Sequence, residues 1–262
     1  MAILLSWMTS NLSTLDNMKL NEYILKIEEF LKNYLENSGM NTYVLGVSGG
    51  VDSSLTAALI KNAVGKEKLM CVLMPIDSNP SDLKDGLYLI KELDLDYAVI
   101  DASKTYQSYL EDLKAQGIEL GRDTKSNLKA RIRMSILYAY AQEHRGLVVG
   151  TDNKDERYTG YFTKFGDGAC DLLPICHLLK CEVVEASKML GIPTRLAERV
   201  PTAGLFEGQT DEGEMGVTYK DLDAFLRGEK VSEEAEKRIL HLHRISNHKR
   251  DDIPCPEDFN RD

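Results

Sequence analysis

Apolar residues recur along this chain in two rhythms. Short, nearly continuous runs predict buried strands at 42–48 (Tyr43, Val44, Leu45 and Val47), 68–76 ("KLMCVLMPI"), 97–100 and 146–151 ("GLVVGT"). Between them, apolar residues spaced three and four apart predict helices over 20–38, 55–64, 105–114 and 125–142. Another helix opens within "NPSDLKDGLYLIKEL", with Asn79 as N-cap and Pro80 at its first position. Beyond Pro174 the patterns are mainly helical, at 182–190, 219–226 and 232–246. Strands alternating with helices imply an α/β fold, a doubly wound parallel sheet with a helical C-terminal part. Ligands in such sheets bind beyond the carboxyl ends of the strands. The loops after 42–48 and 146–151 should therefore lie close together.

The first of these loops carries chemistry. In "YVLGVSGGVDSS" (43–54) an apolar strand runs into two adjacent glycines, with an aspartate at the mouth of a helix. Ser48, Gly49, Gly50 and Ser53 offer backbone N–H groups and hydroxyls at a helix N-terminus, which is anion-binding architecture. The G-x-x-x-x-G-K-[ST] pattern is absent, so no lysine of this loop reaches between terminal phosphates, and the three-glycine dinucleotide spacing is absent too. A phosphate on the loop and a cation on Asp52 are expected. The second loop, "GTDNKDERYTGYFTKFGDGACDLLPICHLLK" (150–180), is too polar for core and too aromatic for a linker. Joined to the first, it places Asp52 and Glu156 as ligands for a hard cation, with Lys180 near a polyphosphate.

Composition narrows the setting. The 262 residues are 43% hydrophobic, enough for a sizeable core. No apolar run is long enough to span a membrane. The N-terminal 1–17 read as a frayed leader, without the basic start and small-residue cleavage site of a signal peptide. A net charge of −10 argues against broad nucleic-acid or anionic-membrane binding. Five cysteines are most simply reduced thiols in the cytoplasm.

With both loops in view, "SGGVDS" resembles the pyrophosphate loop of the N-type ATP pyrophosphatases. The further segments "NLKARIRM" (127–134), "GTDNKDE", "GYFTKFGDGACDLLPI", "PTAGL", "GQTDEGEMGVTY" and "HKR" are similar to the ammonia-dependent NAD synthetases. The likeness runs over 20–257. It implies one synthetase domain over 1–262 with an adenine nucleotide α-hydrolase-like (Rossmann-like) sheet. The implied reaction takes deamido-NAD, ATP and ammonia to NAD, AMP and pyrophosphate through an adenylated intermediate. Carried onto this sequence, Gly46, Val47, Ser48, Gly49, Gly50, Val51, Asp52 and Ser53 are expected on the ATP phosphates. Asp52 and Glu156 are expected on Mg²⁺, and Thr151, Lys180 and Thr202 on ATP. Arg131, Lys164, Asp171, His248 and Lys249 are expected on deamido-NAD. Asp52, Lys180 and Asp167 form the catalytic set, Asp167 as the group that steers or deprotonates ammonium. The family implies a homodimer with the dinucleotide at the subunit interface. Cys170, His177 and Cys181 depart from residues commoner in the family.

Plainer readings apply to several features. Arg131 and Arg133, two apart on a helix, cannot share a face. One is expected at a phosphate and the other at a surface carboxylate, and the resemblance selects Arg131 for the phosphate. His241 and His243 have no zinc spacing and read as structural, and the cysteines as inert thiols. Leu128, Ile132, Ser135, Ile136 and Ala139 form a helical stripe that packs on a partner subunit or on the chain's own sheet. The loop "PTAGLFEGQTDEGEMG" reads as a link or as a lid. Two other functions fit an SGG-x-DS loop. A tRNA-thiolating pyrophosphatase needs a cysteine pair and a basic extension, neither of which is seen. A non-catalytic nucleotide sensor has no need of Asp52, Glu156 and Lys180 together.

Overall fold

In a computed structural model of the chain, residues 2–199, 201 and 210–257 are described, with side chains from Met18 onward. Thr202 and half of the loop read as a link or lid (202–209) lie outside the described residues. The first half alternates as anticipated: α1 (Ala2–Ser38), β1 (Thr42–Gly46), α2 (Val51–Val64), β2 (Leu69–Leu73), α3 (Pro80–Glu92), β3 (Tyr97–Val99), α4 (Ser103–Ala115), α5 (Arg122–His144) and β4 (Gly146–Val149). The second half is helical: α6 (Lys154–Thr159), α7 (Lys180–Met189), α8 (Thr194–Ala197), α9 (Asp211–Met215), α10 (Tyr219–Leu226) and α11 (Glu233–Ile245). All four strands are parallel, in the order β3-β2-β1-β4. The chain leaves β1 toward β2 on one side and returns as β4 on the other. The crevice of such a sheet opens between these two directions, at the ends of β1 and β4.

Each strand is apolar on both faces because each face is covered. Tyr43, Leu45, Cys71, Leu73 and Val149 turn toward α1, α2 and α7, while Val44, Val72 and Val148 turn toward α5. Along α1, Ile24, Ile27, Leu31 and Leu35 recur at helical spacing and are buried. Helix α2 is buried on nearly every side, which explains its weak amphipathic signal. A smaller cluster of Met215, Val217, Tyr219, Leu222 and Ile239 joins α9, α10 and α11.

Three local expectations are corrected. Helix α1 begins at Ala2 rather than near residue 20. Helix α2 begins at Val51 rather than Leu55, so Asp52 and Ser53 lie in its first turn. Their polarity hides a helix start whose N-cap, Gly50, supplies no side-chain cap. The stripe on α5 divides: Ile132 packs with Ile76, Ala102 and Tyr106 of its own chain, whereas Ser135 and Ala139 are exposed.

Tyr43 ties the central strand to α1. Its fully buried hydroxyl donates to the Leu31 carbonyl at 2.6 Å. Tyr43→Phe keeps the packed ring and removes that bond, so a stability loss of about 1 kcal/mol is expected in urea unfolding. An unchanged midpoint would mean the hydroxyl contributes nothing net.

Candidate active site

The loop after β1 is held open by its own side chains. Gly49 has φ +79°, and a Cβ there would sit 2.9 Å from both Asp85 Cβ and the Gly86 nitrogen of α3. Glycine is therefore required twice over, by conformation and by close approach. Ser48 Oγ accepts from Gly50 N–H at 3.2 Å and lies 3.1 Å from Ser53 Oγ. Ser54 Oγ bonds back to the Gly50 carbonyl at 2.7 Å. Gly50, the N-cap, supplies no side chain, so the first N–H groups of α2 carry no side-chain cap. Arg199 fastens the loop from outside, donating to the Gly49 carbonyl at 3.2 Å and pairing with Asp82 of α3. The result is a rigid anion cradle with the positive end of a helix behind it.

The second loop meets the first as anticipated. Gly150 ends β4 where a Cβ would lie 2.6 Å from Cys170 Sγ and Leu173 Cδ2. Asn153 then caps α6 in a reciprocal box with Glu156, and its Nδ2 donates to Asp52 Oδ1 at 2.9 Å. Lys180, buried at the start of α7, places Nζ 2.6 Å from Asp52 Oδ2 and 3.2 Å from Glu156 Oε1. Tyr219 lays its ring 4.8 Å from the same ammonium and bonds through its hydroxyl to Glu156 and Asp211. The two carboxylates predicted for a cation thus converge on one point, held by a lysine. Burial opposes the ammonium charge, but Asp52 and Glu156 outweigh it and raise the Lys180 pKa.

This corner is dense in buried acid. Burial first, then the nearby Asp223 charge, pushes the Asp155 carboxyl up to about 7. Burial pushes Glu156 up to about 8, with Lys180 opposing. Asp155 Oδ2 accepts the Lys180 N–H at 2.8 Å and Asp223 Oδ2 the Cys181 N–H at 3.3 Å, so these carboxyls cap α7. One oxygen each of Asp152, Asp155, Asp211 and Asp223 is buried without a partner among the described residues.

Everything converges on one cavity of about 520 Å³. It is lined by Gly46, Val47, Ser48, Gly50, Val51, Asp52 and Ser53, and by Thr151, Glu156, Lys180, Asp167 and Lys249. Asp167 is reached by solvent through this cavity while protein surrounds it elsewhere. That enclosure raises its pKa, against the Thr163 N–H that it accepts at 3.1 and 3.3 Å and the Lys249 charge. Arg131, Lys164 and His248 gather outside the cavity: Arg131 donates to the Lys164 carbonyl at 3.3 Å, and Lys164 Nζ to the His248 carbonyl. Asp171 is set apart, its carboxylate taken by the Val148 N–H at 2.7 Å on the edge of β4. His243 stacks on Tyr158 in the structural role read for it.

Arg133 is the correction. It does not meet a surface carboxylate but turns into the cavity, donating to the Met74 carbonyl and Ser78 Oγ, each at 3.1 Å. Sequence reading also missed Asn153, Asp211 and Tyr219. Asn153-x-x-Glu156 was legible as a capping box. Asp211 and Tyr219 reach the site from far along the chain and carry no local signal.

A doubly wound sheet that brings a polyphosphate cradle against paired carboxylates and a buried lysine defines an ATP-binding enzyme of the ligase type. The chain belongs to the NAD synthase family, whose model matches residues 23–253. It is 42% identical over 244 residues to the NH(3)-dependent NAD(+) synthetase of Mesoplasma florum, covering 93% of this chain and all of the relative. Among solved structures it resembles the NMN synthetase of Francisella tularensis, with TM-score 0.86 and 39% identity over 91% of this chain and 99% of that one. The NH3-dependent NAD synthetase of Campylobacter jejuni matches with TM-score 0.74 and 30% identity, over 92% and 99% of the two chains.

The buried carboxyls have a consequence for stability. Asp155 carries its proton to about 7 when folded, against 3.8 for a free carboxyl. Folded protein therefore binds more protons between these values, and stability falls as pH rises through them. Asp155→Asn keeps an acceptor for the Lys180 N–H and cannot ionise. Between pH 5 and pH 8 the variant should lose less stability than wild type, by about 2–3 kcal/mol. Denaturant unfolding at the two pH values checks this, and equal losses would clear Asp155 of strain.

Proposed function

We propose that this chain is an ammonia-dependent NAD synthetase, catalysing ATP-dependent amidation of deamido-NAD in the final step of NAD biosynthesis. The observation that carries the reading is the meeting of the glycine-turned loop with Asp52, Glu156, Lys180 and Asp167 around one cavity. Carboxylate is a poor acyl donor, so its oxygen first attacks the α-phosphorus of ATP. The bond from that phosphorus to the bridging oxygen breaks, and pyrophosphate departs into the cradle at 46–53. Ammonia then adds to the acyl carbon, the bond to AMP breaks, and Asp167 takes the surplus proton. Asp52 and Glu156, converging on Lys180 Nζ, fit a cation and are the residues to hold Mg²⁺. When bound, Mg²⁺ supplies charge that offsets the departing pyrophosphate. Lys180 then serves phosphoryl oxygens, with Thr151 beside it.

Lys249 lines the cavity for the acid substrate. Arg131, Lys164 and His248 form a basic group at its margin, where a dinucleotide's far half would extend. Asp171 and Thr202 belong to the proposal through family resemblance. So does the homodimer, for which exposed Leu25 and Phe30 on α1 offer apolar surface. A monomeric mass by light scattering with full activity would remove it. Residues 1–262 are read as one synthetase domain. Cytoplasmic residence accords with five free thiols, and among the described residues no helix is long and apolar enough to cross a membrane.

Free ammonia is the proposed nitrogen source. Releasing it from glutamine calls for an activated nucleophile, and burial instead pushes Cys71, Cys170 and Cys181 up to about 12. A second acceptor, nicotinic acid mononucleotide, is favoured by the closer superposition on the solved NMN synthetase, TM-score 0.86 against 0.74. It presents the same ring carboxylate and lacks the adenylyl half.

The test supplies the purified chain with ATP, Mg²⁺ and either acid, with ammonium chloride or ammonia-free glutamine. Amide formation from the dinucleotide with ammonium is expected. Preference for the mononucleotide would move the chain to the second reading, and equal use of glutamine would overturn the nitrogen assignment. Asp52→Asn should lower turnover about 100-fold or more. The new amide N–H also faces Lys180 or Asn153, so thermal melting must accompany the assay. Near-normal turnover would sink the role given to Asp52.

A further inference from the structure

Arg133 is a cation at a place where the internal architecture does not need one. It lies on α5, on the opposite side of the helix from Arg131, and its neighbours Ala130, Met134 and Leu137 line the same cavity wall. Among the described residues, its guanidinium bonds only to neutral oxygens, the Met74 carbonyl and Ser78 Oγ. Arg199, also on the cavity, is by contrast paired with Asp82 and Asp85. An enclosed cation without an adjoining counter-ion is costly to keep unless something anionic arrives to meet it. Burial accordingly depresses its pKa, and the distant charges of Asp167 and Asp82 offset this only in part.

Its address points to what arrives. Met74 follows β2, the neighbour of β1, and a Cβ placed on Gly46 would lie 3.1 Å from Met74 Cε and 3.3 Å from Leu137 Cδ1. Arg133 is thus one helical turn from a residue that touches the start of the phosphate cradle, and is tied to another. We propose that Arg133 is a substrate-binding residue of this site, contacting a phosphoryl oxygen of a bound nucleotide. The proposal rests on the synthetase reading, in which both ATP and the acid substrate carry phosphates. The ties to Met74 and Ser78 orient the planar guanidinium and leave Nη1 for the ligand.

Calorimetry on the full chain distinguishes the two sources, with ATP and deamido-NAD titrated separately into wild type, Arg133→Gln, Arg133→Lys and Ser78→Ala. Arg133→Gln should weaken one ligand about 10- to 100-fold, and the ligand affected identifies the source. Arg133→Lys keeps the charge without the fork and should recover only part of the loss. Ser78→Ala breaks one of the two internal ties while the Met74 carbonyl still orients the guanidinium, and should change binding less than threefold. Melting temperatures confirm folding, and if Arg133→Gln fails to fold, Arg133→Lys carries the comparison. Binding of both ligands within twofold of wild type in the arginine variants would overturn the proposal. So would a Ser78→Ala loss equal to that of Arg133→Gln, which assigns the arginine to loop support. Binding is read without turnover, so failure of the wild type to form NAD would count against the synthetase reading alone.

Discussion

The contact on which the site depends is Lys180 Nζ between Asp52 and Glu156, 2.6 and 3.2 Å away. Two carboxyls from different loops can share a buried corner only if a cation lies between them or one keeps its proton. The lysine supplies the cation, and in doing so joins the loop after β1 to the loop after β4. The side chain starts at the first residue of α7, whose amide ends are capped by Asp155 and Asp223. Asp155 gains from the helix end that it caps and loses from burial and from the nearby Asp223 charge. The arrangement is therefore rigid without being relaxed.

The cavity lining mixes both signs of charge: Arg133, Arg199 and the uncapped start of α2 share it with Asp52, Asp152, Glu156, Asp167 and Asp211. A polyphosphate laid on the start of α2 meets these carboxylates too, and like charges at such range repel unless a cation intervenes. In the ligand-free protein the Lys180 ammonium neutralises part of that acid. The loop has no P-loop lysine of its own; the lysine that reaches Asp52 comes from a different element and rests between Asp52 and Glu156.

Legibility followed the range of the forces involved. Short-range signals were readable: Asn79 caps α3 by accepting the Ser81 N–H, with Pro80 behind it, and the apolar runs are the four strands. The approach of the two loops was readable too, because sheet topology alone requires it. Boundaries failed where function displaced local preference. Val51, Asp52 and Ser53 look like loop because the helix starts behind a glycine N-cap, with no capping side chain to mark it. Asp211 and Tyr219 are brought to Glu156 by the packing of α9 and α10 on α6, which no local pattern encodes.

Arg133 shows why a pattern of polar and apolar positions misleads near a site. A guanidinium within a helix registers as solvent-facing, so a stripe through Leu128, Ile132 and Ile136 points Arg133 outward. The helix in fact has two inner faces, one against α4 through Ile132 and one against the cavity through Ala130, Arg133, Met134 and Leu137. Over 130–137 the second reads as apolar only if Arg133 is allowed inside. Burying an arginine there opposes folding, and among the described residues it is offset only by the bonds to Met74 and Ser78 and by the charges of Asp167 and Asp82. A ligand phosphate in the cavity that Arg133 lines is the compensation proposed for the remainder.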